Sequence, residues 1–258
     1  MKNLKYITTY ETHNNEDDTK MKLDVLAIGA HPDDIELSCA ATVAKLAASG
    51  KKVGIVDLTE GELGTRGTRT IRRAEAAAAS RILGVAMRTT LRLPDGGIQV
   101  SKKNIAALIR LYRKFRPEIL FIPHSQERHP DHVHTHHIAK EAWFYSGLFK
   151  ISTTDHGIKQ DAFRPKRCFH FMQKYEFQPS FIVDVSASYG KKKESLLAFR
   201  SQFYDPSSRE PDTMLSSKIF LESIYARDRH FGSLIDVEYG EPFFSIEPIG
   251  IDTPFSVL

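Results

Sequence analysis

The sequence predicts an α/β fold: a Rossmann-like parallel sheet flanked by helices, then an irregular C-terminal part with extra short strands and helices. Three observations carry this. Short apolar runs alternate with helical patterns through the first 150 residues, as in successive βαβ units. At 258 residues, 41% hydrophobic and 26% charged, the chain has length and apolar content for one sizeable core. No internal repeat, low-complexity tract or Pro/Ser-rich linker divides it, so residues 21–258 read as a single domain.

The elements follow in order. Residues 22–30 form a buried strand, and 35–49 an Ala-rich helix closed by Gly50. Residues 52–58 give a second strand, and 68–83 a helix ending at Gly84. Residues 87–93 are a short strand, and Pro94-Asp95-Gly96-Gly97 is a turn. Residues 101–115 are an amphipathic helix with Pro117 just beyond, 118–123 a strand and 131–147 a helix. Right-handed crossovers then make the sheet parallel. Later, 168–174 and 180–185 read as strands and 188–203 as a helix. Residues 214–230 read as an amphipathic segment, and 235–239 and 243–246 as short strands.

Composition excludes several classes. The net charge of +4 is small and the basic residues are scattered, so nucleic acid is not an expected partner. No apolar stretch approaches the ~18 residues of a membrane span. The two cysteines, Cys39 and Cys168, lie far apart and suit a reducing cytoplasm without a disulfide framework. Cys39, on the Ala-rich helix, reads as a small core residue. Residues 1–20 are polar, lack the features of a signal or transit peptide, and read as a flexible extension.

Two segments are richer in chemistry than a fold requires: His31-Pro32-Asp33-Asp34 and His129-Pro130-Asp131-His132. Each lies where a strand gives way to a helix. In a doubly wound sheet with order 3-2-1-4, the strands preceding them are neighbours, and ligands bind at that switch point. Gly29 to Asp34 occupies the place of a dinucleotide-binding G-x-G-x-x-G, but its two carboxylates would repel a pyrophosphate and attract a cation. Asp57 alone resembles a ribose-binding acid.

His31, Asp34 and His132 could supply two nitrogens and a carboxylate to a catalytic zinc that keeps a position open for water. Asp33 should point elsewhere and take a proton from that water. His129, as imidazolium, could stabilise an oxyanion or protonate a leaving amine, with Asp131 orienting and charging it. Together these suit amide or ester hydrolysis. Each motif by itself would more often be a capped turn at a helix start; their equivalent positions at two strand ends shift the balance. His134, His136 and His137 fall on the following helix and read as surface or supporting residues.

These residues resemble the PIG-L/LmbE-like zinc-dependent N-acetylglucosaminyl deacetylases. The resemblance lies in A-H-P-D-D-I-E at 30–36 and R-H-P-D-H at 128–132. Within the family, T-E-G-E-L-G-T-R-G-T at 59–68, R-I-L-G at 81–84, L-P-D-G at 93–96 and V-E-Y-G-E-P-F-F at 237–244 are similar to the bacillithiol-biosynthesis branch, which deacetylates N-acetylglucosaminyl malate. The resemblance implies one Zn2+ per subunit on His31, Asp34 and His132, although other divalent metals fit such a sphere. It implies Asp33 as base and His129 with Asp131 at the oxyanion. It also places a substrate-contacting arginine at Arg66 and a sugar-hydroxyl aspartate at Asp95. Without it, Arg66 reads as a solvated loop arginine and Asp95 as a turn former. Arg128 could also face an anionic substrate. The expected setting is a cytoplasmic homo-oligomer acting on a small amino-sugar substrate. The rivals are the same chemistry on another N-acetyl sugar, such as a chitobiose or natural-product glycoside, and a non-catalytic sugar- or nucleotide-binding module.

Overall fold

The sheet begins inside the segment expected to be a flexible extension. The structure, a computed structural model, describes residues 8–10, 21–253 and 255. Strand β1 (Thr8–Tyr10) pairs antiparallel with β4 (Met87–Thr90), with Thr9 opposite Thr89. It covers an edge that would otherwise present unpaired backbone groups. The rest of residues 1–20 lies outside the described residues.

The predicted order of the first half holds. β2 (Val25–Gly29) lies between β3 (Val53–Asp57) and β5 (Ile119–Pro123), all parallel, and β4 is parallel to β3 on its far side. β2 and β3 are buried along their whole length, so they read as continuous apolar runs without alternation. The helices start and stop where local chemistry dictates. Thr68 accepts from the Ile71 amide to cap α3 (Arg69–Leu83), and Gly84 ends it in the left-handed region at φ 70°. Ser101 caps α4 (Lys102–Phe115) in the same way. Pro130 opens α5 (Pro130–Ser146).

One expected helix is two. α1 (Asp34–Ser38) and α2 (Ala40–Ala48) are separated at Cys39. The buried Lys192 ammonium donates to the Ser38 carbonyl at 2.9 Å. The amides of Ala41 and Thr42 donate to the Glu241 carboxylate at 3.1 and 2.7 Å instead of continuing the helical ladder. A tertiary ion pair thus overrides local helix propensity.

The second half extends the sheet. A two-stranded hairpin, β6 (Thr154–Asp155) with β7 (Ile158–Lys159), stands apart. β8 (Arg167–Phe171) joins β5 in parallel. β9 (Phe181–Asp184) forms the far edge, followed by a 3-10 turn at Ser186–Ser188 and α6 (Tyr189–Ala198). After α7 (Lys218–Ser233), β10 (Gly240–Phe244) inserts antiparallel between β8 and β9. The two late strands expected at 235–239 and 243–246 are therefore one. The sheet order is β1-β4-β3-β2-β5-β8-β10-β9. Leu26 and Ile28 face one apolar layer, Val25 and Ala27 the other. Cys39 and Cys168 are buried and free. Among the described residues, no helix is long and apolar enough to cross a membrane.

Candidate active site

β2 and β5 end side by side, and the loops that leave them carry the two histidine motifs to one place. His31, Asp34 and His132 each direct a ligand atom into a group whose atoms lie within 4.8 Å of one another. Asp34 sits in the first turn of α1 and is fixed by the amides of Ala30 and His31, which donate to its Oδ2 at 2.8 and 3.0 Å. Its Oδ1 lies 3.2 Å from His132 Nε2. Burial would raise the Asp34 carboxyl, but His132 and His31 together hold it well below the usual carboxylate range.

His31 is oriented by carboxylates. Its Nε2 donates to Asp95 Oδ1 at 3.0 Å and lies 3.4 Å from Asp131 Oδ2, while Nδ1 faces Asp34. Burial alone would lower His31; Asp131, Asp95 and Asp34 overturn that and raise it to about 10. A histidine with one nitrogen on carboxylates and the other toward a neighbouring carboxylate has the arrangement of a metal ligand. Among the described residues, the buried Nδ1 of His132 has no hydrogen-bond partner, and its Nε2 lies against Asp34. Two imidazoles and a carboxylate converging in this way fit a divalent ion with an open position.

Asp33 points away from Asp34, as expected. Its Oδ2 accepts from Arg72 Nη2 at 3.0 Å, and the same guanidinium donates to the Pro32 carbonyl. The residue is only 4% exposed, and burial, with Arg72 opposing and Asp34 adding, pushes its pKa up to about 7. That value suits a group that accepts and returns a proton near neutrality. Its backbone stands at φ 114°, where a side chain is strained.

His129 requires a correction. Its Nδ1 accepts from the Asp131 amide at 3.1 Å, capping α5, so the ring is a neutral imidazole carrying its proton on Nε2. Burial, then His31 and His132, lower its pKa further from the imidazolium expected. Asp131 does not hydrogen-bond that ring through its carboxylate. It accepts from the amides of Gly96 and Ile98 at 2.7 and 3.3 Å, and so ties the 94–97 turn to His31.

The proposed substrate contacts divide. A cavity of about 400 Å3 opens over the site and is lined by Asp95, Arg128, His31, Asp33, Asp34, His129 and His132. Asp95 is there, but its carboxylate is engaged by His31 and by the Leu63 amide at 2.8 Å. Arg128 is exposed at this cavity. Arg66 is not at the cavity. It is buried, bonded to the Ser208 hydroxyl and 3.5 Å from Glu210, and lines a separate cleft with Tyr204 and Ser217. The loop after α6 has captured it. Asp57 is fully buried against Arg88.

Sequence reasoning missed Arg72, Glu127 and Arg227. Arg72 shares the buried face of α3 with Ala76 and Ala79, and a charge in that stripe was the available signal. Glu127 accepts from the amides of Arg128, Lys174 and Tyr175, joining the β5–α5 loop to residues 173–175. His136, expected at the surface or in a supporting place, is buried, and its Nδ1 donates to the Pro123 carbonyl at 3.0 Å. None of His134, His136 or His137 belongs to a ligand group among the described residues.

The family profile for GlcNAc-PI de-N-acetylases (PIG-L) matches residues 26–143, which span both histidine motifs. A crystal structure of a conserved protein from Thermus thermophilus superposes with a TM-score of 0.81 at 36% identity, covering 92% of this chain and all of that one. Over residues 26–143 the chain is similar to the PIG-L family. A diacetylchitobiose deacetylase of Thermococcus kodakarensis is 29% identical over 196 residues, 69% of this chain and 70% of its own. A 1D-myo-inositol 2-acetamido-2-deoxy-alpha-D-glucopyranoside deacetylase of Mycobacterium leprae is 28% identical over 215 residues, 70% and 69% of the two chains. Both PIG-L motifs lie in the loops that follow the adjacent strands β2 and β5.

Proposed function

We propose that the protein hydrolyses the acetamide of an N-acetylglucosamine conjugate, releasing acetate and the free amine, with zinc as its metal. The observation that carries this reading is the buried Asp33 carboxylate, held by Arg72, beside the convergent His31, Asp34 and His132. The names of the similar deacetylases, both of acetamido sugars, support the substrate class.

A zinc ion held by His31, Asp34 and His132 would polarise the acetamide carbonyl and acidify water. Asp33 takes a proton from the attacking water as the new C–O bond forms. His129 donates its Nε2–H to the developing oxyanion. Asp33 then returns the proton to the nitrogen as the C–N bond breaks, which leaves acetate and an amine. Arg72 holds the Asp33 carboxylate in place throughout. Asp95 and Asp131 keep His31 turned toward Asp34.

Bacillithiol biosynthesis, with malate as aglycone, is the narrower reading from the resemblance. It leaned on Arg66 as carboxylate partner, and Arg66 is engaged with Ser208 and Glu210; Arg128 and Lys174 are the exposed cations that line the cavity. The test is acetate release from N-acetylglucosaminyl malate and from diacetylchitobiose, before chelation, after it, and with zinc restored. Chelator-sensitive release rescued by zinc is expected. Undiminished release after complete metal removal would discard the metal-dependent mechanism, and no release from either substrate would discard the substrate class.

A further inference from the structure

We propose that the apolar wall of this cavity is an aglycone subsite for an uncharged, apolar group, aryl or alkyl, and that this wall sets specificity. The inference rests on the deacetylase reading above. Six apolar side chains line the same cavity as the catalytic groups: Leu37, Leu63, Met214, Leu215, Phe220 and Ile224. Four of them, Leu37, Leu215, Phe220 and Ile224, belong to the cluster built on Ala76, Ala79, Leu196, Phe199 and Phe203. This part of the wall is thus the outer layer of a packed core and is held in shape before a ligand arrives. Leu63 and Met214 are 72% and 42% exposed, so apolar surface at the cavity stays in water until a ligand covers it.

The cations of the cavity favour the same conclusion. A dicarboxylate aglycone needs guanidinium or ammonium groups with free hydrogen-bonding capacity. Arg72 gives Nη2 to both Asp33 and the Pro32 carbonyl, and its Nε is buried. Arg227 donates to Asp228 and to the carbonyls of Gln173 and Leu37. Arg66 lines another cleft. Arg128 and Lys174 are exposed and belong to loops other than those bearing the apolar residues, with Glu127 and Glu176 lining the cavity beside them in sequence. The apolar wall therefore has no cation of its own to offer a carboxylate.

The experiment compares kcat/KM for acetate release from the methyl, phenyl and malyl glycosides of N-acetylglucosamine by the zinc-loaded protein. The phenyl glycoside is expected to exceed the methyl by about tenfold or more, since an apolar pocket discriminates on that scale. The malyl glycoside is expected to gain nothing over methyl. Phe220→Ser and the exposed Leu63→Asp should each bring the phenyl-to-methyl ratio toward one; Leu63 lies outside the core, so its variant separates specificity from folding. Equal rates for methyl and phenyl, a preference for malyl, or a phenyl preference untouched by both variants would overturn the inference and leave deacetylation standing. Absence of acetate from all three would overturn the deacetylase reading and this inference with it.

Discussion

Asp33 and Asp34 are neighbours in sequence with opposite tasks, and their partners divide them. Asp34 is pinned by two amides and His132, Asp33 by Arg72. Replacing Asp33 with Asn should lower kcat by about 10^2- to 10^4-fold while stoichiometric zinc, measured by atomic absorption, is retained; loss of zinc would make Asp33 a ligand. Asp95 gives a sharper test. Because it holds His31 Nε2, Asp95→Ala should weaken zinc affinity by roughly 10- to 100-fold, measured by chelator competition. A change confined to KM would instead return it to the sugar-hydroxyl role. The meeting of His31, Asp34 and His132 beside Asp33 was legible because these residue types have little other use at two equivalent strand ends. Arg66 was not, because nothing in 59–68 announces that residues 208–210 will capture it. Neither was the neutral state of His129, which depends on a backbone amide two residues ahead.

At the scale of elements, buried charge decides what propensity leaves open. Arg88 on β4, wholly buried, donates to Asp57 on β3 at 2.7 and 3.0 Å and to Glu36 on α1 at 2.6 Å. It thereby anchors the helix carrying Asp34 to the sheet. Arg88→Met should cost roughly 3–5 kcal/mol in urea unfolding, because two carboxylates lose their partner; a change near zero would mean that water reaches them. The α1–α2 break has the same origin in Lys192 and Glu241, and no local pattern could reveal it. The alternation of strands and helices was legible through β5 because each buried run is followed by a helix. It blurred afterwards because β10 pairs antiparallel between strands distant in sequence. His136 on α5 and His170 on β8 both donate to the Pro123 carbonyl. Burial lowers each from 6.5 to about 4. The unfolded chain therefore binds these protons first, so stability is full above pH 6.5 and falls as pH drops from 6.5 toward 4. Urea unfolding across that range should show the decline, and His170→Asn should flatten it; an unchanged slope would remove His170 from the account.

For the whole molecule, the sheet's outer boundary depends on three residues that composition assigned to an extension. β1 shields β4, which would otherwise be an open edge. Deleting residues 1–20 should lower the melting temperature and increase self-association, read by calorimetry and by light scattering. Unchanged behaviour in both would mean that the β4 edge needs no cover. The signal was weak because a three-residue strand has no room for a period.

The backbone of Asp33 has a consequence for the molecule's own endurance. A strained φ of 114° and a buried carboxylate beside Asp34 both disfavour the folded chain. Asparagine tolerates that backbone region better than most residues and carries no charge. The metal-free Asp33→Asn protein should therefore melt at a higher temperature than the metal-free parent, although it has lost turnover. Variants selected only for thermal robustness would drift toward such inert forms, so catalysis in this chain is maintained against its own folding equilibrium.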